Sequence, residues 1–205
     1  MADNQLKPQD TPAPPSKFKL AQALKTLLTE KSFSAVTTAE IARTAGVNES
    51  LIYRHFKDKR GILHHILRDY IVEFQGNINR QLATTRGALN KIRVMIQEHI
   101  SMYETNRVFA KILLLEVRNF PGYFESDTYQ LVKSHGLFLT AIINEGVETG
   151  EIRDDIPLSR MRNLILGGIE HFSMVPVVFG HPMDVQALTD DLCTLVFAGI
   201  QTPPR

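Results

Sequence analysis

With 205 residues, 43% hydrophobic and 22% charged, the chain has the composition of ordinary globular protein and can hold one medium domain, or a small domain joined to a larger one. The net charge of +1 gives no sign of a polyanionic partner, but residues 17–60 hold nine Lys and Arg against four Asp and Glu, while the rest of the chain is net acidic. The lone Cys193 excludes an intramolecular disulfide. With no apolar leader-like stretch and no apolar run near the ~20 residues of a membrane span, a cytoplasmic protein without a membrane partner is expected.

Residues 1–15 are polar and carry Pro8, Pro12, Pro14 and Pro15, so a flexible arm is expected there. Ser16 caps a predicted helix to about residue 31, with Phe18, Ala21, Leu24, Leu27 and Leu28 as its apolar stripe and Lys17 at its start as a candidate phosphate contact. The stretch 37–59 is the most informative. Thr37 followed by Glu40 predicts a capping box before Ile41, Ala42 and Ala45. Gly46 ends that helix and opens a turn, and Asn48 caps a second short helix whose inward positions are Leu51, Ile52 and Phe56. This is a helix-turn-helix pattern, with the second helix suited to the DNA major groove. Its outward side chains, Asn48, Glu49, Ser50, Tyr53, Arg54 and His55, are hydrogen-bonding and aromatic groups that reach base edges and phosphates. Lys59 and the first backbone N–H groups of the following helix predict an anion site.

That helix is expected to run to about residue 81, with Ile62, Ile66, Tyr70 and Phe74 inside, connecting the basic segment to everything downstream. Further helices are predicted over 88–104, 107–118, 126–150, 159–179 and 184–200, with breaks at 119–123, 153–157 and 180–182. Gly167 and Gly168 allow a close helix approach. No segment reads as a strand. The expected fold class is all-α: a three-helix DNA-binding domain over 16–60 and a larger helical domain over 61–205. The seven histidines are scattered without HExxH or paired cysteine spacing, and no nucleophile motif, phosphate loop or dinucleotide fingerprint occurs. No metal, cofactor or catalytic residue is therefore expected, and no enzyme.

The run Phe33, Thr37-Thr38, Glu40-Ile41-Ala42, Ala45-Gly46-Val47, Leu51-Ile52-Tyr53-Arg54-His55-Phe56, Lys59 and Leu63 resembles the DNA-binding domain of TetR-type transcriptional regulators. Two positions depart from that pattern: Ser32, where a glycine is common, and the acid Glu49 early in the recognition helix. The resemblance implies a ligand-responsive regulator, most often a repressor, that binds a palindromic double-stranded DNA operator as a homodimer and is released by a small, largely apolar effector. On the DNA side it points to Lys17, Thr37, Thr38, Asn48, Glu49, Ser50, Tyr53, Arg54, His55 and Lys59. It also favours a cavity in the larger domain, for which Tyr70, Phe74, Met95, His99, Tyr103, Phe109, Phe138, Asn163 and Glu170 are candidate lining residues. A plain helical core with satisfied polar groups is the competing reading of those positions. The last two helices are expected to pair with their copies in a second subunit. The alternative function is an architectural DNA-binding protein whose C-terminal domain only dimerises.

Overall fold

The computed structural model describes residues 14–202. The expected arm falls, up to residue 13, outside them. Nine α-helices are present among the described residues: α1 (Pro15–Glu30), α2 (Thr38–Ala45), α3 (Ser50–Phe56), α4 (Lys59–Leu82), α5 (Ala88–Thr105), α6 (Arg107–Lys111), α7 (Asp127–Thr149), α8 (Leu158–Phe179) and α9 (Val185–Ile200). No strand occurs among these residues, only an isolated antiparallel bridge between Ile152 and Gln201. The chain forms two compact units, one through Ile66 and one from Leu67. The dividing point falls six residues beyond the expected limit at residue 60, because the first turns of α4 bury Ile62, Leu63 and Ile66 with the N-terminal unit.

In the first unit α1 packs on α2 and α3. Its buried stripe is Leu20, Ala21, Ala23, Leu24, Leu27 and Leu28, whereas Phe18, expected inside, is exposed. Thr37 caps α2 by accepting from Glu40 N (3.2 Å), and Gly46 ends the helix in the left-handed region at φ 64°. The capping box is half formed. The Glu40 carboxylate turns instead to Lys31 Nζ at 2.5 Å, whose hydrogen bond and charge hold it below the usual carboxylate range. Asn48 Oδ1 accepts from Ser50 N (2.9 Å) at the start of α3. Gly61 is required by space: a Cβ there would lie 1.8 Å from the Phe56 carbonyl oxygen.

In the second unit α5 packs against α7, α8 and α9. Seven of its residues are buried along one face and only Asn90 and Thr105 are exposed, so it is the core helix of this unit. Its first turn is capped from far along the chain, since Ala88 N and Leu89 N donate to the Glu151 carboxylate (3.1 and 3.3 Å). Arg153 N donates to Ile200 O and Thr202 N to Glu151 O, which ties that loop to the end of α9. Gly146 lets α7 approach closely, because a Cβ there would stand 2.7 Å from Ala88 Cβ and 2.5 Å from Ile152 Cδ1. Ser126 and Asp184 cap α7 and α9.

One expectation is corrected here. The helix expected over 107–118 is only five residues long as an α-helix. It passes into a π-helical turn (Ile112–Glu116) and a 3-10 turn (Val117–Asn119), followed by another 3-10 turn (Tyr123–Glu125). Ile112, Leu114 and Val117 are all buried. Gly168 faces inward within its own chain, where a Cβ would lie 2.8 Å from Leu192 Cδ1, whereas Gly167 meets open space.

Candidate functional site

The first unit presents the recognition helix. Tyr53 is 56% exposed, and Asn48, Ser50 and Arg54 are also exposed. Glu49 and Thr38 are half-buried, and Thr37 is exposed but engaged as a cap. Three residues expected at DNA are held by the protein itself. His55 Nε2 is 3.0 Å from Ser16 Oγ, which links α3 to the start of α1. Lys17 Nζ stands 5.5 Å from the Phe56 ring centroid, a cation–π contact. Lys59 Nζ donates to the carbonyl oxygens of Phe33 (3.0 Å), Ser34 (3.3 Å) and Val36 (2.7 Å). An ammonium has three N–H donors, so these carbonyls use the whole set. The expected anion site at the start of α4 is likewise altered, because Gly61 N donates to Asp58 Oδ1 (2.8 Å), placing a carboxylate at that helix end. Exposed cations that the sequence reading passed over are Arg43 on α2 and Lys57, which leaves α3 at φ 71°.

The second unit contains a cavity of about 80 Å³ walled mostly by apolar side chains. Four expected residues, Phe74, His99, Tyr103 and Glu170, meet there. Tyr70 and Phe109 stack on each other at 4.2 Å around a smaller void beside it. Met95 is fully buried but does not line the cavity; Phe138 borders a separate cleft, and Asn163 is exposed and accepts from Arg162. The cavity also uses Met102, Arg118, Tyr123, His135, Leu166 and Ile169. His135 was legible as a polar residue spaced four and seven from Leu139 and Ile142 on the buried face of α7. Arg118 and Tyr123 were not, since they reach the cavity from the irregular segment after the π turn.

Polar chemistry in the cavity is concentrated in two places. Arg118 grips Glu170 with two hydrogen bonds, Nη1 to Oε2 at 3.0 Å and Nη2 to Oε1. Opposite, Phe74 meets His99 edge-on at 4.6 Å and His135 at 5.2 Å, and the two imidazoles are 4.6 Å apart. His99 Nδ1 is bonded to Met95 O (2.7 Å), but His135 Nε2 has no hydrogen-bond partner. Burial drives His99 down to about 4 and His135 to about 3, and the positive charge each imidazole would place on its neighbour acts in the same sense for His135. Both are neutral at ordinary pH.

Residues 20–66 match the pattern described as bacterial regulatory proteins of the tetR family, and residues 67–199 match the C-terminal region of YsiA-like proteins. The chain belongs to the TetR family. This TetR-family chain is 24% identical over 186 residues to the fatty acid metabolism regulator protein of Bacillus subtilis, covering 91% of it and 96% of that protein. It is 24% identical over 197 residues to the HTH-type transcriptional repressor KstR2 of Mycolicibacterium smegmatis, covering 93% and 94%. Its fold is similar to that of Bacillus subtilis FadR in complex with stearoyl-CoA, with a TM-score of 0.80 and 23% identity, covering 90% of this chain and 99% of that one. The TetR-family chain is thus a DNA-binding transcriptional regulator. No helix among the described residues is long and apolar enough to cross a membrane.

Two predictions follow from this geometry. Lys59→Ala removes a charged donor from three carbonyls, so it should lower stability by about 1–2 kcal/mol as well as weaken DNA binding; a melting temperature equal to that of the parent would return Lys59 to a pure phosphate role. The histidines act on the second unit with a definite sign. Their folded-state values lie below the unfolded value near 6.5, so the unfolded chain binds more protons, and stability is full above that pH and falls as pH drops toward 4. Each pH unit in that window costs up to ~1.4 kcal/mol per histidine. Chemical denaturation at pH 7 and pH 5 should show this loss, and His135→Phe should make it shallower.

Proposed function

We propose that this regulator represses transcription in the cytoplasm as a homodimer on a palindromic operator, and that a fatty-acyl thioester filling the second unit releases it. Residues 16–60 serve as the DNA-reading part and 61–205 as the part for ligand and dimerisation. The observation that carries this reading is the apolar cavity with its few polar groups, which suits an aliphatic tail and one oriented polar function. The relationship to the fatty acid metabolism regulator and the likeness to the stearoyl-CoA complex support the choice of an acyl chain. About 80 Å³ is far below the ~300–1,000 Å³ of ordinary ligand sites, so a long chain enters only if a wall moves. The irregular segment after α6, which supplies Leu113, Arg118 and Tyr123, is the wall with the fewest regular backbone bonds to break.

On the DNA side, Arg54, Ser50 and Asn48 read bases and Tyr53, Arg43 and Lys57 hold phosphates. Because α4 runs unbroken from Lys59 to Leu82 through both units, it carries the ligand's preference for one pose to the recognition helix. Effector and operator then weaken each other's binding by one common factor, typically ~5–150-fold for allosteric proteins. Measuring palmitoyl-CoA affinity on the free protein and on the operator complex tests this. Equal affinities rule it out and leave the architectural reading.

For the dimer, α8 exposes Leu164, Val175 and Phe179 and α9 exposes Leu195 (53–69% exposed), a set of large apolar side chains that pairing would cover. Leu192, by contrast, is buried in its own chain. Val175→Arg and Leu195→Arg should therefore give monomers in sedimentation at micromolar concentration; dimers for both variants would move the interface elsewhere.

A further inference from the structure

Two openings border the cavity of the second unit, and their chemistry differs. Between α4 and α5 lies a groove of about 390 Å³, separated from the cavity by Phe74 and Met102, which line both. Its lining includes the carboxylates Glu73 and Glu98 and no Lys or Arg. Between α4 and α7 lies a cleft of about 220 Å³ lined by Gln75, Ile78, Asn79, Ser134, His135 and Phe138, with no ionised group. Of these, His135 alone also lines the cavity. It is 8% exposed, and its Nε2 atom is buried without a partner. A buried imidazole nitrogen left unsatisfied is costly unless a ligand atom meets it.

We propose that the α4–α7 cleft is the mouth of the effector site, and that the effector is an amphipathic acyl compound straddling His135. Its aliphatic tail lies in the cavity against Phe74 and Ile169, its carbonyl oxygen accepts a hydrogen bond from His135 Nε2–H, and its anionic head emerges through the cleft past Asn79 and Ser134. The neutral state of His135 suits this role, because an uncharged N–H donor binds a carbonyl without demanding a buried counter-ion. The acidic α4–α5 groove is the poorer mouth, since two carboxylates repel a phosphate or carboxylate head. Gln75 Nε2 reaches Leu131 O at 3.4 Å across the same cleft, a weak contact that a head group can replace.

The inference rests on the acyl-thioester reading, and the test separates the two. Binding of palmitoyl-CoA and of palmitate is titrated on the full chain by calorimetry, for the parent and for His135→Phe, His135→Gln, Ser134→Glu and Ser101→Glu. His135→Phe should weaken both ligands about tenfold, and His135→Gln, which keeps a side-chain N–H donor, should restore part of that loss. Ser134→Glu, a surface change in the cleft, should weaken palmitoyl-CoA by tenfold or more, whereas Ser101→Glu in the α4–α5 groove should leave it within twofold. The reverse pattern, with Ser101→Glu harmful and Ser134→Glu neutral, overturns the proposal, as does unchanged affinity in His135→Phe. Tight binding that does not release operator overturns the acyl-effector function while leaving the site. Absence of binding of either ligand to the parent overturns both.

Discussion

The second unit closes around two imidazoles that can be buried only while neutral. His99 and His135 come from α5 and α7, and Phe74 from α4 completes the ring cluster, so three helices converge on groups whose charging would place a cation in an apolar core. That requirement explains the surroundings. One nitrogen of His99 is satisfied by its own helix, through Met95 O, and needs nothing from its neighbours. His135 has no such arrangement at Nε2. The rings meet edge-on or tilted and leave space between themselves and the aliphatic wall of α8. The orphaned nitrogen is thus a consequence of placing a heteroaromatic ring on an apolar helix face.

The first unit solves a different electrostatic problem. Its sequence is strongly basic, yet a good part of that charge is used on the protein itself: Lys59 on three carbonyls, Lys17 on the Phe56 ring, Lys31 on Glu40. These bonds fix the turn before α2 and the exit from α3. They do not remove the charge, and a positive field still acts over a Debye length of about 8–10 Å. Composition counts these cations with the rest, and only geometry shows which of them are engaged within the protein.

The same distinction runs through what could be read without coordinates. Local chemistry was legible where one residue type satisfies one backbone need: Thr37 as the cap of α2 and Gly46 at its left-handed end. Long helices were legible because their apolar spacing persists over many turns. The segment after α6 was not, since its dense apolar residues fit a regular helix and nothing local marks the π turn. Arg118 and Tyr123 were lost with it. That Phe74, His99, Tyr103 and Glu170 line one cavity was legible, because a polar or aromatic group on an apolar helix face is a local signal. The hydrogen bonds of Lys59 were not legible, because its partners are backbone carbonyls more than twenty residues away, which leave no mark in the side-chain pattern.

The cap on α5 has a consequence for biosynthesis. The N–H groups of Ala88 and Leu89 find their acceptors on Glu151, and the loop carrying Glu151 is itself pinned by backbone bonds to Ile200 and Thr202. The central helix of the second unit is therefore completed by residues translated last among those described. The first unit ends at Ile66 and, as an N-terminal compact unit, emerges from the ribosome first. The second must wait for α9. During that interval the nascent chain exposes the apolar faces of α5, α7 and α8, and a chaperone that shields them has its work set by the distance between Ala88 and Ile200.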